Sequence, residues 1–203
     1  GVERGRHFIV EIPGDIFGRR VDAVKRSKLV QILVVEPVDV LICWRLETLD
    51  GKVLQIGEQN IRAAALADTL VTTQDYSALV TAENQRKVVF VAELWQAGKI
   101  VSTRVTPFVA NKHLELSKPE LKVQTRLEGQ TLLVDVSARS LARFVELSID
   151  GVDVVFSDNY FDLPASHTAS LSTPLPAGWK PSQVEAALKV RSIFDSFAHS
   201  AAK

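Results

Sequence analysis

FVELSIDGVDVVFSDNYFDL, residues 144–163, is the stretch that decides the fold class. Its first half alternates apolar and polar residues, which is the period of a β-strand with one buried face. The apolar positions of this half are Val145, Leu147 and Ile149. Asp150-Gly151 follows as a turn signal, and the apolar residues between Val152 and Phe156 predict a strand that returns beside the first. The stretch therefore predicts an antiparallel hairpin of a β-sandwich.

The same two-residue rhythm recurs along the chain, with turn signals roughly every ten residues and no long helical pattern between the strands. From Val40 to Leu46 every second residue is apolar, and a closing strand is predicted from Leu188. Glycine-containing hairpin turns are predicted at Asp50-Gly51, Gly98 and Gly129. This pattern indicates antiparallel sheets and argues against a parallel α/β fold.

A proline-bounded segment, Pro107 to Pro119, separates the strands into two groups. We therefore divide the chain into residues 1–112 and residues 113–203. The predicted fold class is all-β, with two tandem antiparallel β-sandwich domains.

Two short segments carry helical signals. The alanine-rich run before Asp68-Thr69 favours helix by propensity, but it ends after about two turns, so we interpret it as strand and loop. Ser182 and Glu185 have the spacing of a capping box and predict one short helical turn before Leu188.

Composition and charge exclude several classes of function. The chain has 203 residues, with Lys plus Arg and Asp plus Glu balanced at 24 each, so no net field favours nucleic acid or an anionic membrane. No apolar stretch approaches the roughly 20 residues needed to cross a bilayer. A local basic patch is predicted to be a solvated face or a docking surface. It consists of Arg19, Arg20, Lys25, Arg26 and Lys28.

Metal and thiol chemistry find little support in the sequence. The single cysteine, Cys43, lies in an apolar run and is predicted to be a buried, inert thiol. The four histidines lack the paired spacing of zinc ligands. Asp150, Asp153, Asp158, Asp162 and Asn159 form the nearest approach to a calcium cluster. Strand geometry spreads such side chains over opposite faces, so Asp158 and Asn159 are interpreted as turn caps.

The three tryptophans are candidates for carbohydrate contact, because flat aromatic faces can stack on sugar rings. Trp44 shares a face with the apolar residues of its strand and is predicted to lie in the core. Trp95 ends a strand beside a turn, and Trp179 lies in a loop. Each of these two is a candidate for carbohydrate binding or for a domain interface.

Three segments carry a family resemblance. FSDNYF at residues 156–161 resembles a segment in the last immunoglobulin-like domain of bacterial β-mannosidases, which are family-two glycoside hydrolases. NKHLEL at residues 111–116 is similar to the segment that joins their last two domains, and LKVRS at residues 188–192 is similar to their closing strand. The resemblance implies two tandem immunoglobulin-like antiparallel β-sandwich domains, the first mannosidase Ig/CBM-like (residues 1–112) and the second a C-terminal Ig-like domain (residues 113–203).

The resemblance also implies a division of labour in a larger enzyme. The parent would hydrolyse terminal β-mannosidic bonds with retention, using two glutamates in a (β/α)₈ barrel that is longer than this whole chain. We therefore expect a non-catalytic piece, an expectation that agrees with a chain that begins at Gly1 and lacks methionine. No catalytic residue, metal or cofactor is assigned. The expected partner is the barrel itself through intramolecular packing, with Trp179 as the favoured contact.

Several alternatives remain open at this point. The chain could be a pair of carbohydrate-binding modules that contact oligosaccharide through Trp95 or Trp179. It could belong to another family-two enzyme, such as a β-galactosidase or an exo-glucosaminidase, or to a free-standing tandem adhesion protein. The cytoplasm is the favoured compartment, and the periplasm and secretion are alternatives.

Overall fold

The computed structural model describes residues 9–11, 27–33, 36–65 and 69–198. The chain divides into two compact units, one formed by residues 1–48 with 52–115 and the other by residues 49–51 with 116–203. Within the described part of the chain, no helix has the length and apolar character that crossing a membrane requires.

The first unit contains two antiparallel sheets in the part of it that the structure describes. Its strands are β1 (Ile9–Glu11), β2 (Ser27–Leu33), β3 (Val38–Thr48), β4 (Val53–Ala63), β5 (Thr69–Asp75), β6 (Val88–Gln96) and β7 (Lys99–Pro107). One sheet has the order β1-β2-β5 and the other the order β4-β3-β6-β7. A short 3₁₀ helix, Asn111–His113, follows β7. In the alanine-rich segment β4 ends at Ala63 and β5 begins at Thr69, which agrees with the strand part of the interpretation, and residues 66–68 lie outside the described residues.

The core of the first unit lies on one face of the four-stranded sheet. Its β3 residues are Val40, Ile42, Trp44 and Leu46, all buried as the alternation predicts. The indole of Trp44 lies directly over Gly57 of β4, where an added Cβ would come within 2.6 Å of the ring. Glycine is therefore required at this position by the close approach of a core side chain. The prediction that Trp44 is a core residue is confirmed.

The second unit also contains two antiparallel sheets among its described residues. Its elements are β8 (Lys122–Glu128), β9 (Thr131–Ser137), β10 (Ala142–Ile149), β11 (Phe161–Leu163), β12 (Thr168–Pro174), α1 (Pro181–Ala187), β13 (Leu188–Arg191) and α2 (Ile193–Ala198). The sheets have the orders β12-β9-β8 and β11-β10-β13. The core of this unit is centred on inward residues of β9 and β10, namely Leu132, Val134, Val136, Val145, Leu147 and Ile149, and β11, β12 and α1 also contribute to it. Both units are thus all-β, as predicted.

The hairpin predicted over residues 144–163 is wrong in its second half. The first strand and the turn are present as β10 and Asp150-Gly151, but Val152 makes only an isolated bridge to Ile149. The residues from there to Tyr160 form no strand. Instead, β10 pairs with β13 from Glu146 to Ile149 and with β11 near its start.

The Asn159 side chain explains why no returning strand is needed. The Leu147 N–H donates to Asn159 Oδ1 at 2.8 Å, and Asn159 Nδ2 donates to the Leu147 carbonyl at 2.9 Å. One side-chain amide therefore satisfies both backbone groups that a neighbouring peptide would otherwise pair. The apolar run after the turn packs on the core through Phe156, which is buried, rather than through a ladder.

The predicted capping box at Ser182 and Glu185 is also wrong. Helix α1 begins at Pro181, and the Lys180 N–H donates to Gln183 Oε1 at 2.8 Å. Proline fixes φ at the first helical position and has no N–H to satisfy there, so it sets the start of the helix. The Glu185 carboxylate instead accepts a hydrogen bond from Thr125 Oγ1 at 2.7 Å.

Candidate functional site

Trp95 lies near the end of β6, on the face of the four-stranded sheet opposite the core. Strand register places it beside Leu41 of β3, and Leu41 in turn lies beside Asn60 of β4. Leu41 faces away from the core because its neighbours Val40 and Ile42 face into it. Trp95, Leu41 and Asn60 thus form one row across the outer face of the sheet.

A buried network anchors the Trp95 ring. Trp95 Nε1–H donates to Glu93 Oε2 at 3.3 Å, and Arg45 Nη1 donates to Glu93 Oε1 at 2.9 Å. The second partner of Arg45 is Glu47, at 2.5 Å from Nε to Oε2. All three charged residues are buried. Burial alone would lower the pKa of the Arg45 guanidinium, but the two carboxylates outweigh it, so the pKa is raised and the cation is held.

An open cleft of about 490 Å³ lies beside Trp95, and we call it the Trp95 cleft. It is lined by Asp39, Val40, Leu41, Asn60, Ile61, Arg62, Trp95, Ala97 and Gly98. Arg62 Nη1 donates to Asp39 Oδ2 at 2.8 Å, and both side chains are exposed. The cleft therefore combines a partly exposed aromatic ring with an amide and a compensated ion pair.

The turn at the end of the Trp95 cleft is the hairpin turn predicted at Gly98, and it contains two residues between the paired Gln96 and Lys99. Ala97 and Gly98 have φ values of 49° and 75°, so both central residues are left-handed. This geometry is that of a type I′ turn, which joins β6 to β7. The prediction that Gly98 supplies a positive φ is confirmed.

Trp179, the other tryptophan named from the sequence, lies in the second unit. Its side chain is partly buried and packs against the core of that unit. The ring covers Gly151, where an added Cβ would lie 3.9 Å from the indole. Trp95 and Trp179 therefore belong to different units, and Trp179 contributes to packing around the Asp150-Gly151 turn.

The aspartate-rich segment of the second unit acts on the backbone. Asp158 Oδ1 accepts from the Asn159 N–H at 2.8 Å, which confirms the turn-capping interpretation. Asp162 Oδ1 accepts from Arg143 Nε at 2.9 Å and from the Phe144 N–H at 3.2 Å. Among the described residues, no group of three or more His, Cys, Asp or Glu is arranged to hold a metal ion.

The sequence prediction missed a pair of exposed aromatic residues in the second unit. Phe144 and Tyr160 are 38% and 64% exposed, and both have positive φ, at 50° and 59°. They line an open cleft of about 440 Å³ together with Glu146 and Arg191. We call Phe144 and Tyr160 the aromatic pair. The signal for it was an aromatic residue, Phe144, at an outward position of the strand alternation.

Two further predictions concern Cys43 and the basic patch. Cys43 is half-buried rather than buried as predicted, because it lies on the outer face of β3. Partial burial first, and then the nearby Glu58 and Glu93 carboxylates, raise the pKa of the Cys43 thiol, which agrees with an inert group. Lys28 is not part of a solvated face, because it is buried, donates to the Pro107 carbonyl at 3.1 Å and lies over the Phe108 ring. The patch residues Arg19, Arg20, Lys25 and Arg26 lie outside the described residues.

Two family models match the chain, one after the other. The mannosidase Ig/CBM-like domain matches residues 33–113, and an Ig-fold domain of mannosidases matches residues 116–196. The chain carries the immunoglobulin-like domains of a β-mannosidase-type glycoside hydrolase. These β-mannosidase-type domains occur in the order that the sequence segments at residues 111–116 and 156–161 predict.

Solved structures show the same architecture as the β-mannosidase-type domains. A β-D-mannosidase from Dictyoglomus thermophilum matches with a TM-score of 0.76 and 18% identity, over 91% of this chain and 21% of that one. The exo-chitosanase CsxA from Amycolatopsis orientalis matches with a TM-score of 0.56 and 16% identity, over 83% of this chain and 24% of that one. The chain thus spans less than a quarter of each of these two solved chains. No curated protein sequence matches it.

Proposed function

We propose that the two domains are the non-catalytic part of a glycoside hydrolase that cleaves terminal β-mannosidic bonds with retention, and that they pack on its catalytic domain. The observation that carries this proposal is the tandem of two mannosidase-type domain matches, at residues 33–113 and 116–196. The fold match to a β-D-mannosidase over 91% of the chain supports it. Sugar specificity is set in the catalytic domain, so β-mannoside is proposed from the domain type alone.

The aromatic pair supports packing on a further domain. Phe144 and Tyr160 each adopt a left-handed backbone that costs on the order of 1–3 kcal/mol, and such strain is typical of functional positions. The Asp162 and Asn159 side chains accept hydrogen bonds from the backbone N–H groups of these two residues and hold them in place. Aromatic residues and arginine are enriched in protein interfaces, and Arg191 lines the same cleft as the aromatic pair.

The test uses the whole enzyme that carries these domains. Phe144→Ser combined with Tyr160→Ser is expected to lower the melting temperature of the catalytic domain by several degrees, because interface contacts would be lost. Val155→Ser is the matched control, since Val155 is 83% exposed and lies outside the aromatic pair. An unchanged melting temperature in the double variant would contradict packing through this surface.

A second measurement tests whether the chain is non-catalytic. The chain of residues 1–203, purified alone, is expected to leave p-nitrophenyl β-mannoside intact, whereas the whole enzyme hydrolyses it with retention as followed by NMR. Turnover by the chain alone, persisting through repeated purification, would overturn the proposed non-catalytic role.

A further inference from the structure

We propose that the Trp95 cleft binds a neutral, β-linked oligosaccharide, with one pyranose ring stacked on the Trp95 indole. Every residue that lines this cleft belongs to the first unit, whereas the aromatic pair, through which we propose packing on a catalytic domain, lies in the second unit. The cleft volume of about 490 Å³ lies within the usual range of small-ligand sites.

The Trp95 ring is fixed before any ligand arrives. The indole N–H already donates to Glu93, so a ligand would contact the apolar face of the indole and not its hydrogen-bond donor. Glu93 is buried and is held by Arg45, which makes the orientation of the ring a property of the folded sheet. A preorganised aromatic platform binds with less loss of conformational entropy.

The polar groups of the cleft match a sugar rather than a purely apolar ligand. Asn60 lies two strands from Trp95, which at about 4.8 Å per strand places the Cα atoms of these two residues roughly 10 Å apart. Leu41 forms the floor between them. Amide and carboxylate groups offer donors and acceptors to hydroxyls on neighbouring ring carbons.

Charge and shape narrow the ligand class. Asp39 and Arg62 compensate each other, so this pair adds no net charge that would select an anionic or cationic sugar. The cleft is an open surface depression rather than an enclosed pocket, so it admits a segment of an extended chain. β-Linked pyranosides form such extended, flat chains.

The experiment follows the indole N–H signals by two-dimensional NMR. The chain contains three tryptophans, and single Trp→Phe variants assign each signal. We expect β-1,4-mannotriose or β-1,4-glucotriose, titrated to roughly 10 mM, to shift the Trp95 signal saturably with a Kd near 1 mM, an affinity of about 4 kcal/mol. If neither sugar shifts this signal, the proposal is overturned, whereas packing on a catalytic domain is unaffected.

Three variants locate the binding. Because Trp95→Ala lacks the indole signal, binding by all three variants is followed through the backbone amide signals of the cleft. Trp95→Ala is expected to weaken binding at least about tenfold, and Asn60→Ala, at an exposed strand position that preserves the fold, about threefold or more. Trp179→Phe is the matched control and is expected to bind as the unmodified chain does. Binding that persists unchanged in both Trp95→Ala and Asn60→Ala would place the sugar elsewhere and overturn the proposal.

Discussion

Tyr76 shows how a single residue can be buried at a cost. Its side chain is fully buried, with ring centroids 5.7 Å from Phe90 and 6.2 Å from Phe108. Its hydroxyl has no hydrogen-bond partner among the described residues. Burial raises the pKa of Tyr76 to about 12. The aromatic contacts stabilise the core, while the buried hydroxyl opposes them.

Tyr76→Phe removes the unpaired hydroxyl and is therefore expected to leave the free energy of unfolding unchanged or to raise it by up to about 1 kcal/mol. The folded pKa lies above the unfolded value near 10, so the stability linked to the neutral phenol is complete below pH 10 and is lost as pH rises toward 12. Urea unfolding between pH 9 and pH 11.5 measures this. If the free energy of unfolding falls as steeply over this pH range in Tyr76→Phe as in the unmodified chain, ionisation of Tyr76 is not the cause of the decline.

The Asn159 side chain makes two hydrogen bonds with the backbone of Leu147, and these are expected to stabilise the second unit. Asn159→Ala removes both hydrogen bonds to Leu147 and is expected to lower the free energy of unfolding by about 1–3 kcal/mol, because buried backbone groups lose their partner. Asn159→Asp keeps the acceptor for the Leu147 N–H and loses the donor to the Leu147 carbonyl, so it separates the contributions of the two hydrogen bonds. Asp153→Ala, at an exposed position of the same segment, is the control. A urea midpoint unchanged in both Asn159 variants would rule out this pairing role.

The sheet β4-β3-β6-β7 shows how two strands constrain each other. Trp44 of β3 and Gly57 of β4 are register partners, and the indole occupies the space of the missing side chain. A side chain at position 57 would clash with the Trp44 ring, and a smaller residue at position 44 would leave a cavity in the core, so each residue constrains the other. This constraint lies on the inner face, beneath the surface that carries the Trp95 cleft.

Gly57→Ala is expected to destabilise the protein by about 1–3 kcal/mol through overpacking against Trp44. Combined with Trp44→Leu, the same change is expected to cost less than it does alone, because the clash is gone. Denaturant midpoints of the four proteins in this cycle give the coupling energy. Ile56→Ala, next in sequence and 71% exposed, is the control. Strict additivity would exclude a direct clash.

The β6–β7 hairpin offers an opposite test, in which a substitution stabilises. Ala97 adopts a left-handed φ of 49°, which asparagine tolerates better than alanine. Ala97→Asn is expected to raise the free energy of unfolding by about 0.5–1 kcal/mol, and Gly98→Ala to lower it. Thermal melting of both variants provides the measurement. A lower melting temperature for Ala97→Asn would contradict the turn assignment.

At the scale of the whole molecule, charge is balanced. The formal net charge at pH 7 is zero, so little long-range repulsion keeps molecules apart near neutrality. This balance argues against a polyanion-binding protein.

The balance predicts a solubility minimum near pH 7. Precipitation by polyethylene glycol is expected at a lower concentration at pH 7 than at pH 5 or pH 9. Val155→Lys and Val155→Asp, at an 83% exposed position, form a matched pair that should move the minimum to higher and lower pH, respectively. A minimum that stays in place in both variants would show that net charge does not control solubility here.

Sequence alone determined the features that depend on neighbouring residues. The alternation in β3, β9 and β10, the glycine turns and the core position of Trp44 follow from a local period of two, which burial on one face imposes. The short segments at residues 111–116 and 156–161 also pointed to the domain family. Trp95 was named as a candidate because an aromatic residue beside a turn can be read from the chain.

Tertiary structure decided whatever depends on which distant segments become neighbours. The returning strand after Gly151 was predicted wrongly because β13, about forty residues downstream, takes the edge of β10 and the Asn159 amide satisfies Leu147. The neighbours of Trp95 in the sheet could not be predicted from the sequence either, since only strand register brings Leu41 and Asn60 beside it. Long-range pairing carries no local period in the sequence, and the Trp95 cleft is a product of that pairing.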